Sequence, residues 1–151
     1  MTSAHLYEIQ VGIFATPGGV EKVAEGFEHL LRQRAVPYVL TVLDQDQRTR
    51  DGEMKLSEFY DELPPHWTDL RGGADPGDRR VHEFRIGVLL PSREQMDALR
   101  SALTSTLCPD PDHDGACPIP WSSGFVDGQG GVYRENERYL NRQYAPLRGR
   151  A

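Results

Sequence analysis

The first regular feature of the chain is an alternation of apolar and polar positions along residues 5–14. A period of two with one apolar face indicates a half-buried β-strand. A helix should follow, because Thr16 can cap its N-terminus, Pro17 suits its first turn, and apolar residues recur at helical spacing as far as Leu31. Residues 38–43 are rich in β-branched and aromatic side chains, which predicts a second strand. This part of the chain therefore predicts a βαβ unit.

The same order of elements recurs later in the chain. Residues 82–90 alternate like the first strand, and an alignment of the two places His82 at the position of His5. Ser92 then begins a capping box, and apolar residues follow it at helical spacing. Residues 119–126 predict a fourth strand. The chain is therefore expected to contain two matching βαβ halves.

Two right-handed βαβ units close most simply into one antiparallel sheet with both helices on a single face. This is the ferredoxin-like βαββαβ sandwich, which places the first and third strands at the centre of the sheet. We therefore expect residues 1–151 to form a single α+β domain of this class.

Two segments lie outside the repeat. Residues 44–80 form a long insertion between strands 2 and 3, and its aromatic residues favour a packed flap. Residues 55–63 can form a short helix within it, which Pro64 and Pro65 are expected to end. Residues 132–144 predict a C-terminal helix with a narrow aromatic stripe. Both segments are candidates for contact with a ligand or a partner.

The net charge and the lack of a long apolar stretch limit the classes of protein to which the chain can belong. The formal net charge is -6 and the isoelectric point is near 5.3. A mildly acidic chain without a basic cluster repels phosphate backbones, so we expect no nucleic-acid binding. The chain start lacks the pattern of a signal peptide, and no apolar stretch approaches the roughly 20 residues that cross a membrane. These features predict a cytoplasmic protein with reduced cysteines and no membrane contact.

The segment between the two cysteines is a candidate metal site. Its alternating aspartates and glycine resemble the first six residues of an EF-hand calcium loop. Alternatively, two thiolates, an imidazole and a carboxylate could hold zinc tetrahedrally. A disulfide that closes the loop and a solvated acidic turn are further alternatives. The candidate ligands are Cys108, Asp110, Asp112, His113, Asp114 and Cys117.

A second candidate site is a pair of histidines. If the two halves superpose, His5 and His82 lie side by side at the same end of adjacent parallel strands. Two such histidines could act as general base and general acid on a phosphate ester. The layout resembles that of the two-histidine phosphoesterases, which carry His-x-Ser/Thr in each half. The positions of that hydroxyl residue are Tyr7 and Phe84 in this chain.

The polar face of the sheet is the third candidate site. The same alignment places Glu8 beside Arg85, where they could pair across strands. With both helices on the other face, this face is expected to be open. We therefore expect a binding or assembly module that acts through this face, the flap and the C-terminal helix, as a homo-oligomer or with a protein partner or small-molecule ligand. The alternatives are a small-molecule enzyme with His5, His82, Glu8 and Arg85 as catalytic residues, and a zinc- or calcium-binding protein.

Overall fold

The computed structural model describes residues 4–107, 119–128 and 134–150. It is a mixed α+β structure with one four-stranded sheet in the order β2-β3-β1-β4, in which every neighbouring pair is antiparallel. The strands are β1 (His5–Ala15), β2 (Tyr38–Asp44), β3 (Arg80–Leu90) and β4 (Trp121–Asp127). The helices of the described residues are α1 (Pro17–Gln33), α2 (Leu56–Phe59), α3 (Leu63–Asp69), α4 (Arg93–Ser105) and α5 (Arg134–Tyr144), followed by a 3-10 helix at Ala145–Arg150.

The first face of the sheet packs against α1 and α4, as the alternating pattern predicts. Thr16 caps α1 by accepting the Gly19 N–H, and Ser92 caps α4 by accepting the Gln95 N–H. Both helices bury their apolar stripes on the inward residues of β1 and β3. None of the helices in the described ranges is long and apolar enough to cross a membrane.

The second face of the sheet is covered as well, so the expectation of an open face is wrong. Over one end lies α5 with the 3-10 helix, and over the other end lie α2 and α3 of the insertion. The first cover packs Leu6, Leu89, Val126, Tyr139, Leu140, Tyr144 and Leu147 together, and the second packs Phe14, Leu43, Leu56, Tyr60, Leu63, Trp67 and Val81 together. Helices therefore lie on both faces of the sheet.

The two prolines of the insertion begin a helix, whereas the sequence predicted that they end one. Pro64 and Pro65 lie in the first turn of α3. Backbone N–H groups there have no intrahelical partner, so proline, which has no N–H, costs no hydrogen bond. The helix buries Trp67, and the guanidinium groups of Arg71 and Arg79 lie 4.7 and 4.3 Å from the centre of its ring. The insertion is therefore packed onto the sheet.

Two glycines of the central strands lie beneath these covers and have no room for a side chain. A Cβ atom at Gly12 would lie 2.3 Å from the ring of Tyr60, and one at Gly87 would lie 2.1 Å from the ring of Tyr144. Real side chains do not approach so closely, because packed interiors leave no room for such overlap. Because Gly12 on β1 and Gly87 on β3 have no side chain, an aromatic ring can pack directly against the strand at each position.

We predict that Gly87→Ala destabilises the fold by about 1–3 kcal/mol, because the new methyl group must displace the buried Tyr144 ring. The matched control is Gly26→Ala in the middle of α1, where an added Cβ meets nothing within 4 Å. That control should stabilise the protein by about 0.5–1 kcal/mol through helix propensity. Urea unfolding followed by circular dichroism measures both. Equal effects of the two substitutions would contradict the close approach at Gly87.

Candidate functional site

Two carboxylates are buried on the second face of the sheet. Glu8 is 0% exposed and Glu83 is 2% exposed, and they are the buried charged residues of the described ranges. Removing a carboxylate from water is costly unless it is hydrogen-bonded or paired. Their partners therefore define how this face is organised.

Glu83 receives a hydrogen bond on each carboxylate oxygen. The Tyr60 hydroxyl donates to Oε2 over 2.6 Å, and Arg85, two residues along the same strand, donates to Oε1 from Nε. Arg85 also donates from Nη2 to the carbonyl oxygen of Arg48 over 2.7 Å. Burial alone would lower the pKa of Arg85, but the charge and hydrogen bond of Glu83 outweigh it and raise the pKa. Arg85 is therefore charged, and its hydrogen bond to the Arg48 carbonyl holds the insertion against the sheet.

Glu8 is held by neutral donors. The Gln10 side chain donates to Oε1 over 2.7 Å, and the hydroxyls of Tyr139 and Tyr144 both donate to Oε2. No ion pair to Glu8 forms among the described residues. The carboxylate of Glu8 thus anchors α5 to the sheet through two tyrosines.

The two glutamates occupy equivalent places in matching strand segments. Residues 8–12 and 83–87 both read Glu-x-polar-x-Gly, and in the register of β1 and β3 the glutamate of each segment lies opposite the glycine of the other. Each glycine is covered by a tyrosine ring, and that tyrosine donates its hydroxyl to the glutamate opposite the glycine. Tyr60 and Tyr144 take these two places. The second face therefore has an approximate two-fold symmetry.

The sequence alignment of the two halves was slipped by two residues. Matching His5 with His82 placed Glu8 beside Arg85, whereas the contacts match Glu8 with Glu83. A slip of two keeps every side chain on its correct face, because side chains alternate with a period of two. The apolar pattern could not reveal this error, although the shared Glu-x-polar-x-Gly motif could have done so.

The predicted histidine pair does not form. Because β1 and β3 run antiparallel, His5 lies opposite Leu90, and His82 lies opposite Ile13. The two histidines are therefore eight residues apart along the strands, which corresponds to about 27 Å. Burial lowers the pKa of His82, with the nearby Asp44 opposing the shift. The prediction of a cooperating acid–base pair at these positions is therefore wrong.

The predicted ion pair between Glu8 and Arg85 is also absent. Glu8 lies opposite Gly87 in the strand register, and Arg85 lies opposite Gln10 and bonds to Glu83. The structure does bring both predicted residues into one polar layer. Sequence reasoning did not identify the three tyrosines that complete it, because the covering segments are distant in the chain.

A cleft lies beside this polar layer, where the two covers leave part of the second face unoccupied. Its volume is about 350 Å³, which is within the range of small-molecule sites. Side chains of the sheet meet the 48–55 segment of the insertion there. The lining residues are Gln10, Thr49, Arg50, Asp51, Glu53, Met54, Phe59, Glu83 and Phe125.

The wall of the cleft is a short hairpin, residues 48–55, closed by a bridge between its end residues. Thr49 donates its N–H to the Met54 carbonyl, and Gly52 turns the chain at a φ of 75°. The Asp51 carboxylate accepts the Thr49 hydroxyl at 2.6 Å and a backbone N–H two residues later. The hydroxyl bond, more than any other contact, holds the pKa of Asp51 below its ordinary value. The hairpin is thus internally braced.

The hairpin also reaches the opposite cover. The Arg50 guanidinium lies 5.4 Å from the centre of the Tyr139 ring, which is within the range of a cation–π contact. Since Tyr139 bonds to Glu8, this contact connects the insertion with α5 across the cleft. The insertion and α5 are therefore in contact over the second face of the sheet.

The six predicted metal ligands, Cys108, Asp110, Asp112, His113, Asp114 and Cys117, all lie outside the described residues. Zinc and calcium binding at that loop therefore stay predictions. Within residues 4–107, 119–128 and 134–150, no group of three or more His, Cys, Asp or Glu side chains is placed to hold a metal ion.

Comparisons with known proteins do not supply a function. No protein-family model matches the chain, and no curated protein matches it. A de novo designed protein, Foldit4, is similar at 8% identity and a TM-score of 0.40, over 79% of this chain and 96% of that one. A segment of PelD from Pseudomonas aeruginosa PA14 is similar at 17% identity and a TM-score of 0.35, over 92% of this chain. The matched region spans 40% of that PelD chain.

We predict that Tyr60, Tyr139 and Tyr144 do not ionise near the usual value of about 10 while the protein is folded. Burial, together with the adjacent glutamates, raises the pKa of each of these hydroxyls. Because these pKa values are raised, their contribution to stability is complete below pH 10 and is lost as the pH rises further. Ultraviolet titration of the six tyrosines, with circular dichroism on the same samples, should show at least three ionising only as the fold is lost.

Tyr60→Phe provides the control for this titration, because it should remove one tyrosine from the late-ionising group. Reversible ionisation of all six tyrosines near pH 10, with an unchanged dichroism spectrum, would contradict the buried tyrosine–glutamate layer.

Proposed function

We propose that the protein is a binding module that holds a small organic molecule in the cleft beside the 48–55 hairpin. The observation that carries this proposal is the cleft itself, whose floor is built from polar side chains of the sheet. Small-molecule sites combine an apolar wall with a few positioned polar groups. Here Phe59 and Met54 supply apolar wall, and Gln10 and Glu83 supply polar floor.

The polar floor is better suited to binding than to bond-making chemistry. Both oxygens of Glu83 accept hydrogen bonds from protein donors. The tyrosine hydroxyls, with their raised pKa values, stay protonated at neutral pH and serve as donors. Such a layer is preorganised, so a ligand that contacts it does not have to order it first. This favours the binding module over the enzyme as the function of the cleft.

We further propose that the fold is a ferredoxin-like sandwich with two additions on its second face. The support is the strand order β2-β3-β1-β4, with antiparallel neighbours and a helix after β1 and after β3. In such a sandwich the second face is available for binding. Here the insertion and α5 occupy its two ends, which restricts a ligand to the cleft between them.

We predict that Met54→Trp abolishes small-molecule capture, because the indole fills the cleft from its rim. Met54 is 38% exposed, so the substitution should leave the fold intact. Wild-type and variant protein are incubated with a metabolite extract of the host cells, washed by gel filtration and analysed by native mass spectrometry. The expected result is a bound small molecule on the wild type only.

Leu70→Trp is the matched control for this experiment, because Leu70 is 51% exposed and lies outside the cleft lining. This control should retain the ligand. Capture of the same molecule by Met54→Trp, or no capture by the wild type from any extract, would reject the cleft as the functional site.

Self-association through β2 is a second candidate, which would provide the predicted homo-oligomer. This strand is at an edge of the sheet, and its residues 38–43, which precede Asp44 at its end, contain neither a charge nor a proline. Val39 and Val42 are 36% and 40% exposed. Edge strands that avoid pairing usually carry such protective residues. Antiparallel pairing with β2 of a second copy about Thr41 would place apolar residues opposite one another.

We predict that Val42→Lys shifts the protein towards monomer, because it places a charge on the pairing edge of each copy. Sedimentation velocity over a range of protein concentrations measures the fraction of dimer. Leu70→Lys adds the same charge at an exposed site on α3's C-terminal end and should leave that fraction unchanged. A wild-type protein that is monomeric at every concentration would reject this candidate.

A further inference from the structure

The cleft lining has an excess of negative charge. The lining residues include three acidic ones, Asp51, Glu53 and Glu83, and a single basic one, Arg50. Glu83 is already paired with Arg85, but the other two carboxylates have no ion pair among the described residues. Asp51 is ionised at neutral pH, as aspartates ordinarily are, and the hydrogen bond from the Thr49 hydroxyl lowers its pKa further. The unpaired negative charge of the lining therefore belongs to Asp51 and Glu53, while Arg48 and Lys55 of the same hairpin do not line the cleft.

A second and independent source of negative charge lies in the layer beside the cleft. Glu8 is fully buried, and its three hydrogen bonds come from an amide and two hydroxyls, all of which are neutral. Gln10, which bonds to Glu8, also lines the cleft. In a poorly hydrated interior the field of such a carboxylate is weakly screened. A cation in the cleft would be attracted by Asp51 and Glu53 and by the part of the Glu8 charge that the nearby Arg85 does not offset.

The rim of the cleft offers surfaces that suit an organic cation. The Phe59 side chain is 49% exposed and Met54 is 38% exposed, and both line the cleft. An aromatic face attracts ammonium and guanidinium groups, and a thioether adapts to irregular apolar ligands. The one guanidinium of the lining, that of Arg50, already lies over the Tyr139 ring. An apolar body with one positive charge matches this arrangement.

We infer that the ligand of the cleft is an organic cation, an amine with an apolar or aromatic body, whose charge is held by Glu53 and Asp51 and whose body packs on Phe59 and Met54. This inference rests on the proposed function and adds the chemical class of the ligand. In this inference the carboxylates of the 48–55 hairpin recognise the charge of the ligand. The polar side chains of the sheet form the preorganised floor of the cleft.

Three probes with the same ring and chain length test the inference, namely phenethylammonium, 2-phenylethanol and phenylacetate. Chemical-shift changes in ¹⁵N-labelled full-length protein give the dissociation constants. Phenethylammonium should bind at least about tenfold more tightly than the alcohol or the carboxylate. Glu53→Gln should weaken its binding by about threefold to fivefold, in line with the loss of one partly exposed ion pair. Glu25→Gln, an exposed change on α1 across the sheet, should have no effect.

The remaining outcomes distinguish an error in the ligand class from an error in the binding site. Tighter binding of phenylacetate or 2-phenylethanol, lost in Met54→Trp, would overturn the cationic class and leave the cleft as a binding site. Binding of phenethylammonium that survives both Glu53→Gln and Met54→Trp would overturn the assignment of the charge to this cleft. Absence of binding by all three probes would also overturn the inference, while capture from cell extract by wild type alone would still support the cleft.

Discussion

The second face of this sheet depends on the burial of two glutamates. A carboxylate removed from water must be supplied with donors, and each of these receives at least one tyrosine hydroxyl from a segment distant in the chain. Tyr60 comes from the insertion, and Tyr139 and Tyr144 come from α5. Satisfying the two carboxylates therefore holds both covers in position. The glycine opposite each glutamate makes room for the ring that carries the hydroxyl.

The cleft is a consequence of this arrangement. The two covers pack their apolar residues at opposite ends of the sheet, and the polar layer lies between them. Arg85 holds the 48–55 hairpin down by bonding to the Arg48 carbonyl, while Arg50 reaches across to the Tyr139 ring. The hairpin is thus fixed at its base and at its tip. Fixed walls of this kind would reduce the conformational entropy lost if a ligand entered the cleft.

The approximate symmetry of the layer is broken at its centre. Gln10 of β1 lies opposite Arg85 of β3, so only Glu83 has a cationic neighbour on its own strand. The Glu8 half instead has a second tyrosine, which is the residue that Arg50 contacts. The two otherwise matching halves therefore differ in the donors that surround each glutamate.

The local elements of this protein were determined by its sequence. Alternation predicted β1 and β3, and the caps at Thr16 and Ser92 marked the starts of α1 and α4, because these signals act between residues close in the chain. Glu8 and Arg85 were also identified as polar residues on the second face. The tertiary structure alone decided what they contact. A period-two pattern is unchanged by a slip of two residues, so it could not specify the register that places His5 opposite Leu90 and His82 opposite Ile13. Nor could it show that the insertion and α5 meet over one sheet face, because the hydrogen bonds that hold them there join residues as far apart as Glu8 and Tyr144.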